Sequence, residues 1–83
     1  MLDYQPPSQE WLENEAERVY KFLRPKEYAQ EKRKPGVMAE YRKMSAEACR
    51  EYAEGLINQG MRQRPAEAWR QAIRETLQQA EMD

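Results

Sequence analysis

Apolar residues recur three or four positions apart along most of this chain, and they do not alternate at every second position. In the first third of the chain, Leu12, Ala16, Val19 and Leu23 follow this spacing and would share one face of a helix. The β-branched residues that strands prefer number only five in 83 residues. The sequence therefore predicts amphipathic helices and no β-sheet.

Residues that start or stop helices divide the chain into four helical segments. Ser8 is placed to cap the first helix, and Pro25 ends that helix and can begin the next one. The Pro-Gly pair at residues 35 and 36 separates the second helix from the third, and Gly60 is placed to end the third before Pro65 begins the last. The predicted helices are 8–24, 26–33, 37–58 and 65–81, after a flexible N-terminal entry of residues 1–7.

The third segment is the longest predicted helix. Six residues spaced three or four apart define its predicted buried face: Met38, Tyr41, Ser45, Cys49, Tyr52 and Leu56. The residues that widen this face are Val37, Met44, Ala48, Ala53 and Ile57. Ser45 can also cap a helix, so an alternative is two helices, 37–44 and 46–58, with a kink between them. The continuous helix is the favoured prediction.

These segments predict an all-α fold, a small bundle of three main helices and one short helix within a single domain, residues 1–83. A chain of this length buries only about 60 to 65 % of the surface that its unfolded form exposes, so its stability should be modest. The residues predicted to close the core are Leu12, Val19, Leu23, Tyr41, Ala48, Tyr52, Leu56, Trp69, Ile73 and Leu77.

Several classes of function receive no support from the composition. The chain has one cysteine and no histidine, so it lacks an internal disulfide and the usual ligands of zinc. Serine, threonine and cysteine are few and have no histidine to activate them, so we expect no enzyme, metal site or cofactor. No stretch is apolar enough to span a bilayer, and the N-terminus does not resemble a secretion signal. We expect a soluble, cytoplasmic protein.

Charge is distributed in bands although the net charge is only −1. Residues 1–17 carry five acids and no base, whereas residues 18–43 carry nine bases and three acids. The stretch EKRKPG, residues 31–36, lies in this basic band. Charge runs commonly serve solubility, so a solvated joint between helices is the simplest interpretation.

The function that the sequence favours is a non-catalytic interaction module, an adaptor, inhibitor or regulator that binds a larger protein through an amphipathic helix face. Aromatic residues would anchor the contact and the basic band would steer it toward an acidic partner. The candidate partner-binding residues are Trp11, Tyr20, Phe22, Tyr28, Lys32, Arg33 and Lys34. The spacing of the last helix also allows a homodimer.

The alternative is a nucleic-acid-binding regulator that uses the 18–43 basic band or a helix-turn-helix-like unit, residues 46–81. Its candidate contacts are Arg42, Lys43, Arg62, Arg64, Arg70 and Arg74. A pI near 5.6 argues against this alternative, because phosphate neutralisation usually requires a basic domain. The link between the last two helices is also longer than the usual turn of three or four residues.

Overall fold

A computed structural model describes residues 4–59 and 64–78, and within them the chain is helical with no strand. The elements are α1 (Gln9–Leu23), α2 (Pro25–Lys32), α3 (Val37–Asn58) and α4 (Pro65–Ala72), which continues directly into a π-helical segment, Ile73–Leu77. This arrangement confirms the predicted all-α bundle. Gly60 and residues 79–81, where the sequence analysis placed helix ends, lie outside the described residues.

Local sequence explains where the helices begin. The Oγ atom of Ser8 accepts a hydrogen bond from the Trp11 backbone N–H at 3.0 Å, which caps α1. Pro25 and Pro65 each occupy the first turn of a helix, where a missing N–H costs nothing. Gly36 precedes α3 with φ of 80°, a left-handed conformation that side chains with a Cβ atom rarely adopt. The turn between α2 and α3 thus depends on this glycine.

The third helix is continuous through Ser45, so the alternative of two helices with a kink is excluded. Its 22 residues place it against every other element, and α1 lies beside it in the opposite direction. The direction follows from the contacts, because Gln9 near the start of α1 bonds Arg50, whereas Glu17 further along bonds Arg42. The end of α1, α2 and the start of α3 consequently lie together.

The core consists largely of small residues. Its buried cluster is Leu12, Ala16, Ala46, Cys49, Ala53, Trp69, Ala72 and Leu77. Four alanines in eight positions allow the helices to approach closely, because no long side chain separates their backbones. Tyr41 and Ile73 pack against this cluster while partly exposed.

The predicted core was wrong at three positions. Leu23 and Tyr52 are each 38 % exposed, and Ala48 is also exposed. The buried residues of α3 are Ala46, Cys49 and Ala53. Cys49 lies on the predicted face, whereas Tyr52, one turn further along that face, is exposed. The physical reason is that α3 packs against α1 on one flank and α4 on the other, and small residues fill both contacts. Leu56 is partly buried.

No helix among the described residues is long and apolar enough to cross a membrane.

Candidate functional site

Two of the predicted anchors, Trp11 and Phe22, lie on one outward stripe of α1. They are eleven residues apart, which is three helical turns or about 16 Å along the axis. Phe22 is 70 % exposed and Trp11 is 45 % exposed. Between them, Arg18 pairs with Glu15 at 2.7 Å. An exposed ring as large as that of Phe22 has no role in the core of this chain, which makes it a candidate contact residue.

The other two predicted aromatic anchors face inward. The ring of Tyr20 meets the ring of Tyr41 edge-on, with centroids 4.9 Å apart, and lies 6.2 Å from the ring of Tyr28. Tyr28 is only 7 % exposed, and its hydroxyl donates a hydrogen bond to Glu17. We refer to Tyr20, Tyr28 and Tyr41 as the tyrosine joint, because one ring comes from each of α1, α2 and α3. Tyr28 is therefore no longer a candidate anchor, and the partly buried Tyr20 offers a partner only part of its ring.

The Arg42 guanidinium is bound to acceptors within the molecule. It donates to the Glu17 carboxylate and to Asn14 Oδ1 at 2.7 Å, and it lies 3.5 Å from a carboxylate oxygen of Glu13. The pKa of Glu17 is lowered, first by the Tyr28 hydroxyl and then by Arg42. The pKa of Arg42 is raised by the hydrogen bond to Glu17. Since a base or phosphate would have to displace these partners, Arg42 is also removed from the candidate nucleic-acid contacts.

The cations of the EKRK stretch are exposed. The ammonium of Lys32 lies 5.5 Å from the centroid of the Tyr28 ring, and that of Lys21 lies 5.8 Å from it. The side chains of Arg33 and Lys34 make no ion pair or hydrogen bond with any described residue. These two cations, in the turn before α3, are thus available to pair with acidic groups of another molecule.

More free cations surround this turn because α1 and α3 run in opposite directions. We define the basic end as the exposed cations near the end of α1, on α2 and near the start of α3: Lys26, Lys32, Arg33, Lys34 and Lys43. Of the nearby acids, Glu27 pairs with Arg24 at 3.3 Å and Glu31 bonds the Tyr20 hydroxyl. The third, Glu40 in the first turn of α3, is exposed and makes no ion pair with a described residue. The basic band of the sequence therefore becomes one end of the folded molecule.

An open cleft of about 350 Å³ lies against the end of α1. Its walls come from α1, the start of α3 and the π-helical segment: Val19, Tyr20, Leu23, Arg24, Tyr41, Thr76 and Leu77. Leu23, which follows Phe22 in the chain, lines it while 38 % exposed. The cleft mixes apolar side chains with two tyrosines, a threonine and an arginine, and its volume is within the range of ligand pockets, about 300 to 1,000 Å³.

The sequence analysis missed this cleft. It placed Leu23 in the core, and nothing in the local pattern shows which elements pack beside the end of α1. The hydrogen bond from Gln78 to Glu15, at 2.6 Å, joins the last described turn to the middle of α1. Leu23, about two turns further along α1, remains 38 % exposed at the cleft.

The remaining candidate nucleic-acid contacts lie on or beside α4. Arg64, Arg70 and Arg74 are exposed, and Arg62 lies outside the described residues. Acidic residues accompany them, since Glu67 is one turn before Arg70 and Glu75 follows Arg74. This surface is mixed in charge and does not form a uniform patch for phosphates.

Neither a reactive thiol nor a metal site is found among the residues that the structure describes. Cys49 is fully buried, and burial raises the pKa of its thiol, as expected of a packing residue. No group of three or more His, Cys, Asp or Glu side chains in residues 4–59 and 64–78 is arranged to hold a metal ion. The expectation that the chain is not an enzyme stays a prediction.

Comparison with known proteins identifies no relative: no protein-family model, no curated protein and no solved structure matches the chain.

Proposed function

We propose that this protein is a non-catalytic interaction module whose basic end binds an acidic segment of a larger protein. The observation that carries the proposal is the placement of Phe22. Its ring is 70 % exposed on the residue before Leu23, which lines the open cleft, and exposed cations lie on α2 and in the turn before α3. A partner with one large apolar side chain beside acidic residues would fill the cleft and pair with these cations.

The apolar part of this surface would supply most of the affinity. Burial of apolar area contributes about 25 cal/mol per Å², and aromatic residues dominate the energetics of many interfaces. The exposed Phe22 ring projects from the surface, and Leu23 lines the cleft. Trp11, three turns away on the same stripe, would contact a partner helix lying along α1.

The free cations would act mainly on specificity and on the rate of association. Exposed charges attract an oppositely charged surface over about 10 Å at physiological salt, and they repel a surface of the same sign. A two-fold dimer through this end would bring two basic ends together. Charge therefore favours an acidic partner over a symmetric homodimer at this surface.

The proposal can be tested by placing a photo-crosslinking phenylalanine derivative at Phe22 in the full chain expressed in its native cells. We expect ultraviolet light to produce a protein adduct of defined mass. The adduct should weaken when Arg33 and Lys34 are both replaced by glutamate. The matched control places the same derivative at Ile57, an exposed apolar residue near the other end of α3.

Three results would decide against the proposal. Equal adducts from positions 22 and 57 would mean that crosslinking reports exposure alone. A nuclease-sensitive adduct would support the nucleic-acid alternative. An unchanged adduct in the Arg33→Glu/Lys34→Glu variant would remove the role of the basic end.

A further inference from the structure

The cleft at the end of α1 contains two hydrogen-bond donors that lack acceptors. The Arg24 guanidinium bonds Glu27 at 3.3 Å, and its other N–H groups bond no described residue. Both members of this pair are exposed, and exposed ion pairs contribute little to stability. The hydroxyl of Tyr41, which also lines the cleft, makes no hydrogen bond within the part of the chain that the structure describes. The cleft therefore offers two donors beside its apolar side chains.

The described chain reaches this cleft as it leaves the last helical segment. Thr76 and Leu77 form one wall, and Gln78 departs from helical geometry with φ of −112° and ψ of 2°. The side chain of Gln78 donates a hydrogen bond to Glu15 on α1 at 2.6 Å. Residues 79–83 therefore begin next to the cleft, where the π-helical segment meets α1.

The 79–83 segment, QAEMD, has the composition that the cleft requires of an occupant. Met82 lies between Glu81 and Asp83, and the segment contains no cation. Methionine is unbranched and fills irregular apolar gaps, while carboxylates accept hydrogen bonds from guanidinium and hydroxyl groups. One apolar side chain between two acids is also the pattern that the proposed function requires of an external partner.

The segment is long enough to reach the far side of the cleft. Leu23 is eight residues beyond Glu15, which is about 12 Å along α1. An extended chain from Gln78 to Met82 spans up to about 13 to 14 Å. Because so few residues join the segment to the cleft wall, its effective concentration at the cleft is on the order of millimolar. A contact of modest affinity is therefore sufficient to hold it.

We propose that residues 79–83 bind this cleft within the same chain. The Met82 side chain packs against Leu23, and the two neighbouring carboxylates accept hydrogen bonds from Arg24 and Tyr41. The segment then occupies the surface that an acidic partner needs, so the partner must displace it. This inference rests on the proposed function and adds an internal competitor to it.

Nuclear magnetic resonance of the purified full chain tests the contact directly. We expect nuclear Overhauser contacts between the Met82 methyl group and the methyl groups of Val19 and Leu23, which are far from it in the sequence. A mixture of isotope-labelled and unlabelled chains separates contacts within one chain from contacts between two copies. Absence of these contacts, or their appearance only between copies, would overturn the inference.

Competition with a synthetic peptide of residues 78–83 measures how much of the cleft is occupied. If the segment fills about four fifths of the clefts, about a fifth remain open, and the apparent affinity for the peptide is about fivefold weaker than for an open cleft. The variant Glu81→Lys/Met82→Ser/Asp83→Lys should therefore bind the peptide about fivefold more tightly than the wild type. Gln79→Ser is the matched control and should bind it as the wild type does.

Equal affinity of the wild type and the triple variant for the peptide would overturn the inference, because the cleft would then be open in both proteins. Unchanged resonances of the buried Leu12 methyl groups would show that the variant remains folded.

Photo-crosslinking at position 22 separates this inference from the proposed function. If the segment competes with the partner, the triple variant should give more of the external adduct than the wild type. An external adduct that does not increase would overturn the competition and leave the proposed function standing. An occupied cleft without any external adduct would support the internal contact and argue against the proposed function.

Discussion

The small-residue core and the tyrosine joint hold the same helices together by different physical means. In the core, Ala46, Cys49 and Ala53 of α3 are fully buried and contribute no long side chain. Their contribution comes from close packing and removal of apolar surface from water, which have little directional character. Substitutions in this region should therefore act through volume.

The tyrosine joint depends instead on direction and charge. Tyr28 is buried in the ring cluster, but its hydroxyl bonds a carboxylate that also receives a guanidinium. A hydrogen bond to an ionised group is stronger than one between neutral groups, and it loses this extra strength when the acid is protonated. Because α2 buries only Tyr28, its attachment to the bundle depends on a hydrogen bond whose strength changes with pH.

The largest expected effect is in the core, from Leu12→Ala. Leu12 is fully buried and is the largest aliphatic residue so enclosed, so its truncation should reduce the free energy of unfolding by about 2 to 5 kcal/mol. Urea denaturation would measure the change. Leu23→Ala is the matched control, because Leu23 is 38 % exposed and its truncation should cost less than about 1.5 kcal/mol. Equal losses would contradict the placement of Leu23 beside an open cleft.

The next effect concerns added volume. Ala53→Leu should destabilise the protein by about 1 to 3 kcal/mol, because three extra carbons must enter a closely packed contact. Ala48→Leu, on the exposed side of the same helix, should change stability by less than about 0.5 kcal/mol. Thermal or urea unfolding would compare the two. The reverse order would show that α3 buries the face predicted from its sequence.

Ala48 and Ala53 also show how much of the packing could be predicted from the sequence. The spacing of Leu12, Ala16 and Val19 predicts the buried face of α1 correctly, since that helix packs along one side. On α3, hydrophobicity favours the face of Tyr52 and Leu56, whereas two packing neighbours require the face of Ala46 and Ala53. Alanine is only weakly apolar and occurs on several sides of α3, so spacing alone does not show which of its alanines are buried.

The candidate site was predictable only in part. The exposed ring of Phe22 and the cations at residues 32–34 follow from helical spacing and from the turn residues. The burial of Tyr28 and the ion pair between Arg42 and Glu17 depend on contacts between residues far apart in the chain. The cleft at the end of α1 depends on which elements pack beside it, which is a tertiary property with no local signal.

In the tyrosine joint, Tyr28→Phe should reduce the free energy of unfolding by about 1 kcal/mol at neutral pH, because it removes one hydrogen bond. The folded pKa of Glu17 lies below its unfolded value, so its contribution is present above about pH 4.3 and is lost as pH falls through the folded pKa. The difference between the two proteins should therefore shrink in acid. Urea midpoints from about pH 7 to about pH 3 would measure it.

Glu17→Gln provides the control for that pH dependence. In this background the residue at position 17 no longer titrates, so the difference between tyrosine and phenylalanine at position 28 should be nearly constant with pH. A difference that still shrinks in acid would assign the effect to another carboxylate. Glu15 would be the first to examine, because Arg18 also lowers its pKa.

The smallest expected effect on stability is at Phe22, and its smallness supports a role outside the fold. Phe22→Ser should change the free energy of unfolding by less than about 0.5 kcal/mol, because 70 % of the residue is already exposed. Solubility should rise, since the substitution removes an exposed apolar side chain from the surface. Urea denaturation and a concentration series of light scattering would measure the two quantities. A loss comparable to that of Leu12→Ala would show that Phe22 packs within the fold, and the surface at the basic end would then lose its central anchor.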